Sequence, residues 1–327
     1  MIAGLIDGAM DFTVAPGYTK VGYRVRSLGW ERPPAGALDG KLAVVTGSTA
    51  GLGLATAEGL AELGADVVLA VRNAERGERS AEQVRARGGS ASVELVDLSS
   101  VASVREFARR LRSSYERLDI LVNNAGVLLS ERTVTDEGHE TVFATNVLGM
   151  FVLTNELLPL LAAGAPSRVI NVASGGMYTA RLNVKNLESD SGDYDGPEVY
   201  ARSKRAEVIL TEIWAQRLRD RGITFNSMHP GWADTPGVQT SLPNFHRVTG
   251  PLLRSAQEGA DTVLWLAWSR EGGERSGLFW HDRRPRSTHR MPRTRERDVD
   301  RQALWDALID AGGPNEPASE TLLAPAG

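Results

Sequence analysis

From Lys41 onward, short runs of β-branched and aliphatic residues alternate with longer stretches whose apolar positions recur every three or four residues. The short runs predict strands at Leu42 to Thr46, Val67 to Val71, Val93 to Val96, Ile120 to Asn123, Val169 to Val172, Ile223 to Met228 and Gly277 to Trp280. The longer ones, Gly51 to Leu63, Val101 to Leu111, Gly138 to Leu161 and Glu198 to Leu218, have the spacing of helices that lay one apolar face on a sheet. Apolar strands alternating with such helices require a sheet covered on both faces. The fold class that follows is α/β: a doubly wound parallel sheet in three layers, α/β/α.

The flanks read differently. Residues 1–37 carry no strand pattern, but Phe12, Tyr18, Val21, Tyr23, Val25 and Trp30 make them too aromatic for a solvated tail, and we expect an extension that packs on the domain. Lys20, Arg24 and Arg26 among those aromatics allow a membrane-surface role as the lesser reading. The main domain should run over residues 38–281, followed by a basic strap and helix over 282–311, the helix beginning near Arg297 with Leu304, Trp305, Leu308 and Ile309 on one side. Residues 312–327 read as a disordered tail.

Composition narrows the chemistry. The 327 residues are 42% hydrophobic without a compositional break, enough for one large core. A net charge of -4 gives no reason to expect nucleic acid, and the arginines between Arg283 and Arg297 read as a solvated strap. With no cysteine there is no disulfide, thiolate metal site or cysteine nucleophile. His229 and His246 lack partners at metal-ligand spacing, so no metal is expected. No apolar run approaches the ~18 to 20 residues that span a bilayer, and the opening Met1 to Asp7 lacks a basic start. These features suggest a cytoplasmic protein without integral membrane association, acting on a small molecule.

A turn Thr46-Gly47-Ser48-Thr49-Ala-Gly51-Leu52-Gly53 follows the first strand and opens the first helix, where backbone N–H groups can approach a pyrophosphate. The second strand ends in Leu69-Ala-Val-Arg72-Asn73, with no carboxylate to bind the adenosine 2'-hydroxyl of NAD. Arg72, helped by the Ser48 or Thr49 hydroxyl, instead suits the 2'-phosphate of NADP, and we expect NADP (NADPH) as the preferred cofactor with NAD as the alternative. Asp97-Leu98 falls where the adenine ring should lie, and Asn123-Asn-Ala125-Gly126 ends the fourth strand.

Tyr200 and Lys204 are four apart in one helix and so share a face. An ammonium about 4.5 Å from a phenol at an effective dielectric of about 20 stabilises the phenolate by roughly 4 kcal/mol, nearly three pKa units. Tyr200 would then exchange protons near neutral pH as a general acid or base. Ser174 ends the fifth strand, placed to donate to a substrate oxygen. Asn146 is polar inside an apolar helix and could hold a water that relays protons to Lys204.

In order and spacing, these motifs and Pro230-Gly231 resemble the short-chain dehydrogenase/reductase family from about Leu38 to Trp280. The resemblance implies a Rossmann domain, an Asn146-Ser174-Tyr200-Lys204 tetrad, and a nicotinamide carboxamide held near Pro230, Gly231 and Thr235. Within the family, Ser174-Gly-Gly-Met177, His229-Pro-Gly-Trp-Ala-Asp-Thr-Pro-Gly237, Asp282 to His289 and the leader Tyr18 to Tyr23 resemble a subgroup of the retinol-dehydrogenase-like branch. Ser174 and Tyr200 stand 26 positions apart, about twice the separation in the shortest members, and the acidic run Glu188 to Asp195 reads as a solvated loop beside the cleft.

The expected function is an NADP-dependent oxidoreductase acting on a carbonyl or alcohol, with the same chemistry on NAD, or a non-catalytic nucleotide-binding regulator or scaffold, as alternatives. Met177, Tyr178, Trp232, Leu242, Phe245 and His246 suggest an apolar substrate, unless they only pack the loop from Gly237 to Leu253. The resemblance also makes a homo-oligomer an option through the helices carrying Asn146 and Tyr200, unless the flanks cover them.

Overall fold

Eight strands form one sheet in the order β3-β2-β1-β4-β5-β6-β7-β8 in the computed structural model, which describes residues 15–234, 247, 249–315 and 317–324. Thr235, Leu242, Phe245 and His246 therefore lie outside the described residues. The strands are β1 (Leu42–Thr46), β2 (Asp66–Val71), β3 (Ser90–Leu95), β4 (Ile120–Asn123), β5 (Ser167–Val172), β6 (Ile223–Met228), β7 (Leu278–His281) and β8 (Arg284–Arg286). The first seven run parallel and β8 returns antiparallel on β7.

The parallel strands need covering on both faces, and their sequences supply it. Val44, Val68 and Leu121 point into one core layer, and Val45, Val67, Leu69 and Val122 into the other. One layer holds helices α4 (Val101–Ser114), α5 (Gly149–Ala163) and α6 (Gly196–Arg217); the other holds α2 (Gly51–Glu62), α3 (Ala74–Ala86) and α7 (Ala256–Trp268). On α4 the buried set is Val104, Phe107, Ala108 and Leu111, the three and four residue spacing of a single stripe. Each large member of such a stripe contributes about 2 to 3 kcal/mol of burial.

Two covering helices escape the periodic reading. Helix α3 buries only Gly77, Ser80, Ala81 and Val84, too small and polar a face to register as a stripe. Helix α7 carried a usable signal, a capping box in which Ser255 and Glu258 bond each other's backbone N–H. Strand β3 starts earlier than expected because it is an edge strand of intermediate burial, built from Ser and Glu as well as Val.

Before β1, a turn at Ala15–Tyr18 and helix α1 (Lys20–Ser27) lie against the loop that follows β6, with Trp232 N donating to Tyr18 O at 2.8 Å. After β8, helix α8 (Asp298–Gly312) buries Leu304, Trp305 and Leu308 in the layer of α5 and α6. Within the stretch expected to be a disordered tail, Pro317–Leu323 form helix α9, which sits on α5 with Leu322 and Leu323 against the core. The segment Thr141–Ala163, contrary to the expectation from apolar runs, is long and apolar enough to cross a membrane, but 83% of its apolar window is buried inside the protein, as in a core helix.

Candidate functional site

The strand order reverses between β1 and β4, so the loops leaving their carboxyl ends diverge and open a crevice. A cavity of about 780 Å³ occupies it, running from Arg72 and Asp97 at one end to Ser174, Tyr200 and Pro230 at the other.

At the first end the glycines act through geometry. Gly47 has φ +65°, and a Cβ there would come within 2.9 Å of Ala125 Cα. A Cβ on Gly53 would overlap the Gly47 carbonyl. Thr46 Oγ1 accepts from Asn124 N and Ala125 N, both at 3.0 Å, so the β1 and β4 loops are tied together behind the turn. Helix α2 then begins at Gly51 with Ala50 as its N-cap and no side chain bonding its first amides, whereas α3, α4 and α7 are capped by Asn73, Ser100 and Ser255. Uncapped amides facing a cleft suit a phosphate group, and the residues present fit a dinucleotide.

Thr49, Gly51, Leu52, Leu98 and Gly126 also line this cavity. Arg72 is joined there by Arg76, one turn into α3, which sequence reasoning missed although it lies four residues further on. The Asp97 carboxylate is oriented by Ser99 N and Oγ at 2.9 and 2.7 Å. Two expected residues are turned away from the cavity. Ser48 is fully buried. Asn123 points into the core, where its Nδ2 donates to Thr154 Oγ1 and Asn171 Oδ1, so Asn124 takes the lining position instead. Asn123 follows the inward register of the buried end of β4.

At the second end Ser174 and Tyr200 converge despite their separation: both line the cavity, and the Ser174 hydroxyl draws the phenol's pKa down. The acidic run Glu188 to Asp195 is exposed from Asp190 to Asp193 and at Asp195, as expected of a solvated loop, but it is anchored: Glu188 accepts from Glu140 N at 2.9 Å, and Tyr194 donates to Glu140 Oε1 at 3.0 Å, pinning the insertion to the entry of α5. Lys204 Nζ lies 5.6 Å from the Tyr200 ring centroid and donates to Val172 O at 3.0 Å and Glu207 Oε1 at 2.7 Å. Asn146 sits in a π-helical turn, Ala144–Leu148, that leads into α5. Its amide accepts from Val127 N at 2.8 Å and donates to Val127 O and Ser203 Oγ at 3.0 and 2.9 Å, fixing the β4 loop to α6.

The electrostatics differ from the two-residue expectation. Burial pushes the Tyr200 phenol above its ordinary value; Lys204 and Ser174 pull it down, while Glu207 adds to the rise. Burial works against the Lys204 ammonium, but Glu207 and Tyr200 outweigh it and hold the lysine protonated. Glu207, a residue sequence reasoning passed over, is pushed up to about 7 by burial against the pull of Lys204. His229, at the end of β6, is also driven well below 6.5 by burial, and among the described residues no group of three acidic or histidine side chains could hold a metal.

An α/β sheet with a phosphate turn at its switch point and a serine, tyrosine and lysine at the far end of the same cleft defines a nucleotide-dependent oxidoreductase. The family model for short chain dehydrogenase matches residues 41–244, and the chain belongs to the short-chain dehydrogenase/reductase family, on its retinol-dehydrogenase-like branch. It is 42% identical over 255 residues to human dehydrogenase/reductase SDR family member 12, covering 77% of this chain and 80% of that one. It is 36% identical over 283 residues to mouse retinol dehydrogenase 13, covering 84% of each. Among solved structures, the Pseudomonas aeruginosa RhlG/NADP active-site complex superposes with a TM-score of 0.63 at 29% identity, covering 76% of this chain and 96% of that one. The chain is accordingly an oxidoreductase that uses a nicotinamide cofactor.

Proposed function

We propose that the protein is an NADP-dependent oxidoreductase interconverting an apolar aldehyde or ketone with its alcohol, with Tyr200 as the general acid and base. The observation that carries this reading is the convergence of Ser174, Tyr200 and Lys204 at one end of a cleft whose other end presents two guanidiniums, Arg72 and Arg76. A nicotinamide dinucleotide, when bound, supplies or accepts the hydride.

In this reading Gly47, Thr49, Gly51, Leu52 and Gly53 receive the pyrophosphate, Arg72 and Arg76 the 2'-phosphate, and Asp97 and Leu98 border the adenine. Ala125, Gly126, Pro230 and Gly231 border the nicotinamide side. Ser174 orients the substrate oxygen, Tyr200 exchanges its proton, Lys204 holds the phenol's charge in check, and Asn146 keeps the β4 loop and α6 in register. Leu128, Pro197 and Trp232 supply apolar walls beside Tyr200, and the retinol dehydrogenase names of the relatives agree with an apolar substrate.

The test is turnover of a panel of apolar aldehydes and ketones with NADPH, on the wild-type chain and on Tyr200→Phe. Wild-type oxidation of NADPH that falls by about 10²-fold or more in the variant supports the reading. Turnover that survives in Tyr200→Phe removes the tyrosine from its role.

A further inference from the structure

The helix that presents Tyr200 and Lys204 carries a third ionisable residue one turn beyond the lysine. Glu207 is 2% exposed, and its Oε1 accepts from Lys204 Nζ at 2.7 Å, the other acceptor of that ammonium being the Val172 carbonyl at 3.0 Å. The second carboxyl oxygen, Oε2, is buried with no hydrogen-bond partner. An amide side chain would accept the same bond from the lysine without the desolvation cost that a buried charge carries. A carboxyl group in this place therefore acts through its charge.

The neighbours leave that charge nowhere else to act. Thr211 Oγ1 donates to Glu207 O at 2.8 Å and accepts from Asn171 Nδ2 at 2.8 Å, and Asn171 in turn meets Asn123 at the end of β4. These groups from β4 and β5 are neutral amides and hydroxyls, as is Ser174 beside the phenol. The charged groups acting on Tyr200 are Lys204, which lowers its pKa, and Glu207, which raises it; the one acting on Glu207 is Lys204.

We propose that Glu207 is a positioning residue for the acid–base pair: it fixes the Lys204 ammonium against the end of β5 and offsets part of that ammonium's field at the Tyr200 phenol. The proton affinity of the phenol is then set by a chain of three residues rather than by the lysine alone. This rests on the reading of Tyr200 as the proton donor. The sign follows from charge while Lys204 keeps its proton, which the Tyr200 phenolate itself favours: with Glu207 neutralised, the uncompensated ammonium favours the phenolate, and the phenol titrates at lower pH. A unit charge roughly 8 Å away at an effective dielectric of about 20 moves a pKa by about 1.5 units.

The experiment is an ultraviolet titration of phenolate absorbance between pH 7 and 12 on the full chain. Subtracting Y200F from wild type isolates Tyr200 among the 6 tyrosines, and subtracting the Y200F/E207Q double variant from E207Q does the same without the carboxylate. The midpoint is expected to fall by about one unit or more in E207Q, and to stay near wild type in E207D, which keeps the charge. A midpoint in E207Q no lower than in wild type, including the case where neither titrates below pH 12, overturns the proposal. Glu207→Met, neutral and of similar volume, replaces E207Q should the latter not fold. The two readings fail separately: carbonyl turnover surviving in Y200F removes the tyrosine's role, whereas a dead Y200F with superimposable titrations removes only that of Glu207.

Discussion

Arg254 and Asp282 face each other through two hydrogen bonds of 2.6 and 2.8 Å, and neither side chain is more than 2% exposed. The same guanidinium donates to Gly17 O at 2.8 Å and Thr19 O at 3.2 Å, and Arg26 of α1 reaches the same carboxylate at 2.7 Å. The pair thus latches the segment before β1 onto the turn between β7 and β8, and Arg254 Nη1 also donates to Pro230 O of the cleft at 3.3 Å. Asp282 holds this place at φ +51°, a strained conformation for a non-glycine residue. Asp282→Asn leaves two buried guanidiniums short of their counter-charge, and should cost about 3 to 5 kcal/mol. Urea denaturation of the two proteins measures it; a loss under about 1 kcal/mol would show the latch to be an ornament of the fold.

At the far end of the cleft, Arg72 and Arg76 are exposed, so each charge-assisted bond they offer a phosphate is weakened by solvent. Arg72→Ala is expected to weaken NADPH binding by about tenfold, the equivalent of one net charged hydrogen bond, and to leave NADH nearly unchanged. Fluorescence titration with both nucleotides reads the selectivity directly. Equal loss for both would mean that Arg72 shapes the loop rather than reading the 2'-phosphate.

The parts of this architecture that are local in the chain were legible there. The β1 turn and the Tyr200/Lys204 spacing are set by residues a few positions apart, and period alone found seven of the eight strands. What escaped notice depends on partners distant in sequence. Ser48 and Asn123 fit a cofactor motif by position, yet Ser48 is buried in the turn after β1 and Asn123 points into the core from the end of β4. Glu207 went unmarked in the sequence, because its burial and its bond to Lys204 depend on how the helix packs on the rest of the fold. That Tyr18 would meet His229 and His281, with ring centroids 4.3 and 5.0 Å away, could not be read from the spacing of the N-terminal aromatics.

The face of α5 and α6 that could join two copies is covered by the chain's own C-terminal helices. Trp305 packs edge-on to Phe151 at 4.9 Å, with Trp214 at 6.1 Å and the Arg217 guanidinium 4.3 Å from its ring centroid. The 35.3 kDa chain is therefore expected to run as a monomer in light scattering. Trp305→Ala should cost about 3 to 5 kcal/mol and, by loosening α8, promote association. A wild-type dimer would place the interface elsewhere.

Stability should fall on acidification, for a reason that sets two buried histidines against one buried acid. His229 and His281 stack at 3.9 Å. Nδ1 of His229 accepts from Gly231 N at 3.0 Å, which requires a neutral ring. His281 meets carbonyls at 3.1 and 3.2 Å that favour its charged form, but burial, with Arg254 and Arg26 nearby, outweighs them. Both rings stay neutral when folded and titrate near 6.5 when unfolded, so below about 6.5 the unfolded chain binds more protons and stability drops by up to about 1.4 kcal/mol per unit for each. Glu207 works the other way: with a folded pKa of about 7, above its unfolded value, it favours the folded state as pH falls through that range. Two protons outweigh one, so wild type should lose stability from pH 6.5 to 5, and Glu207→Gln should steepen that loss by removing the opposing group. Denaturant midpoints at half-unit steps decide it; a wild-type curve that is flat or rises toward pH 5 would mean that the histidines take up their protons without unfolding.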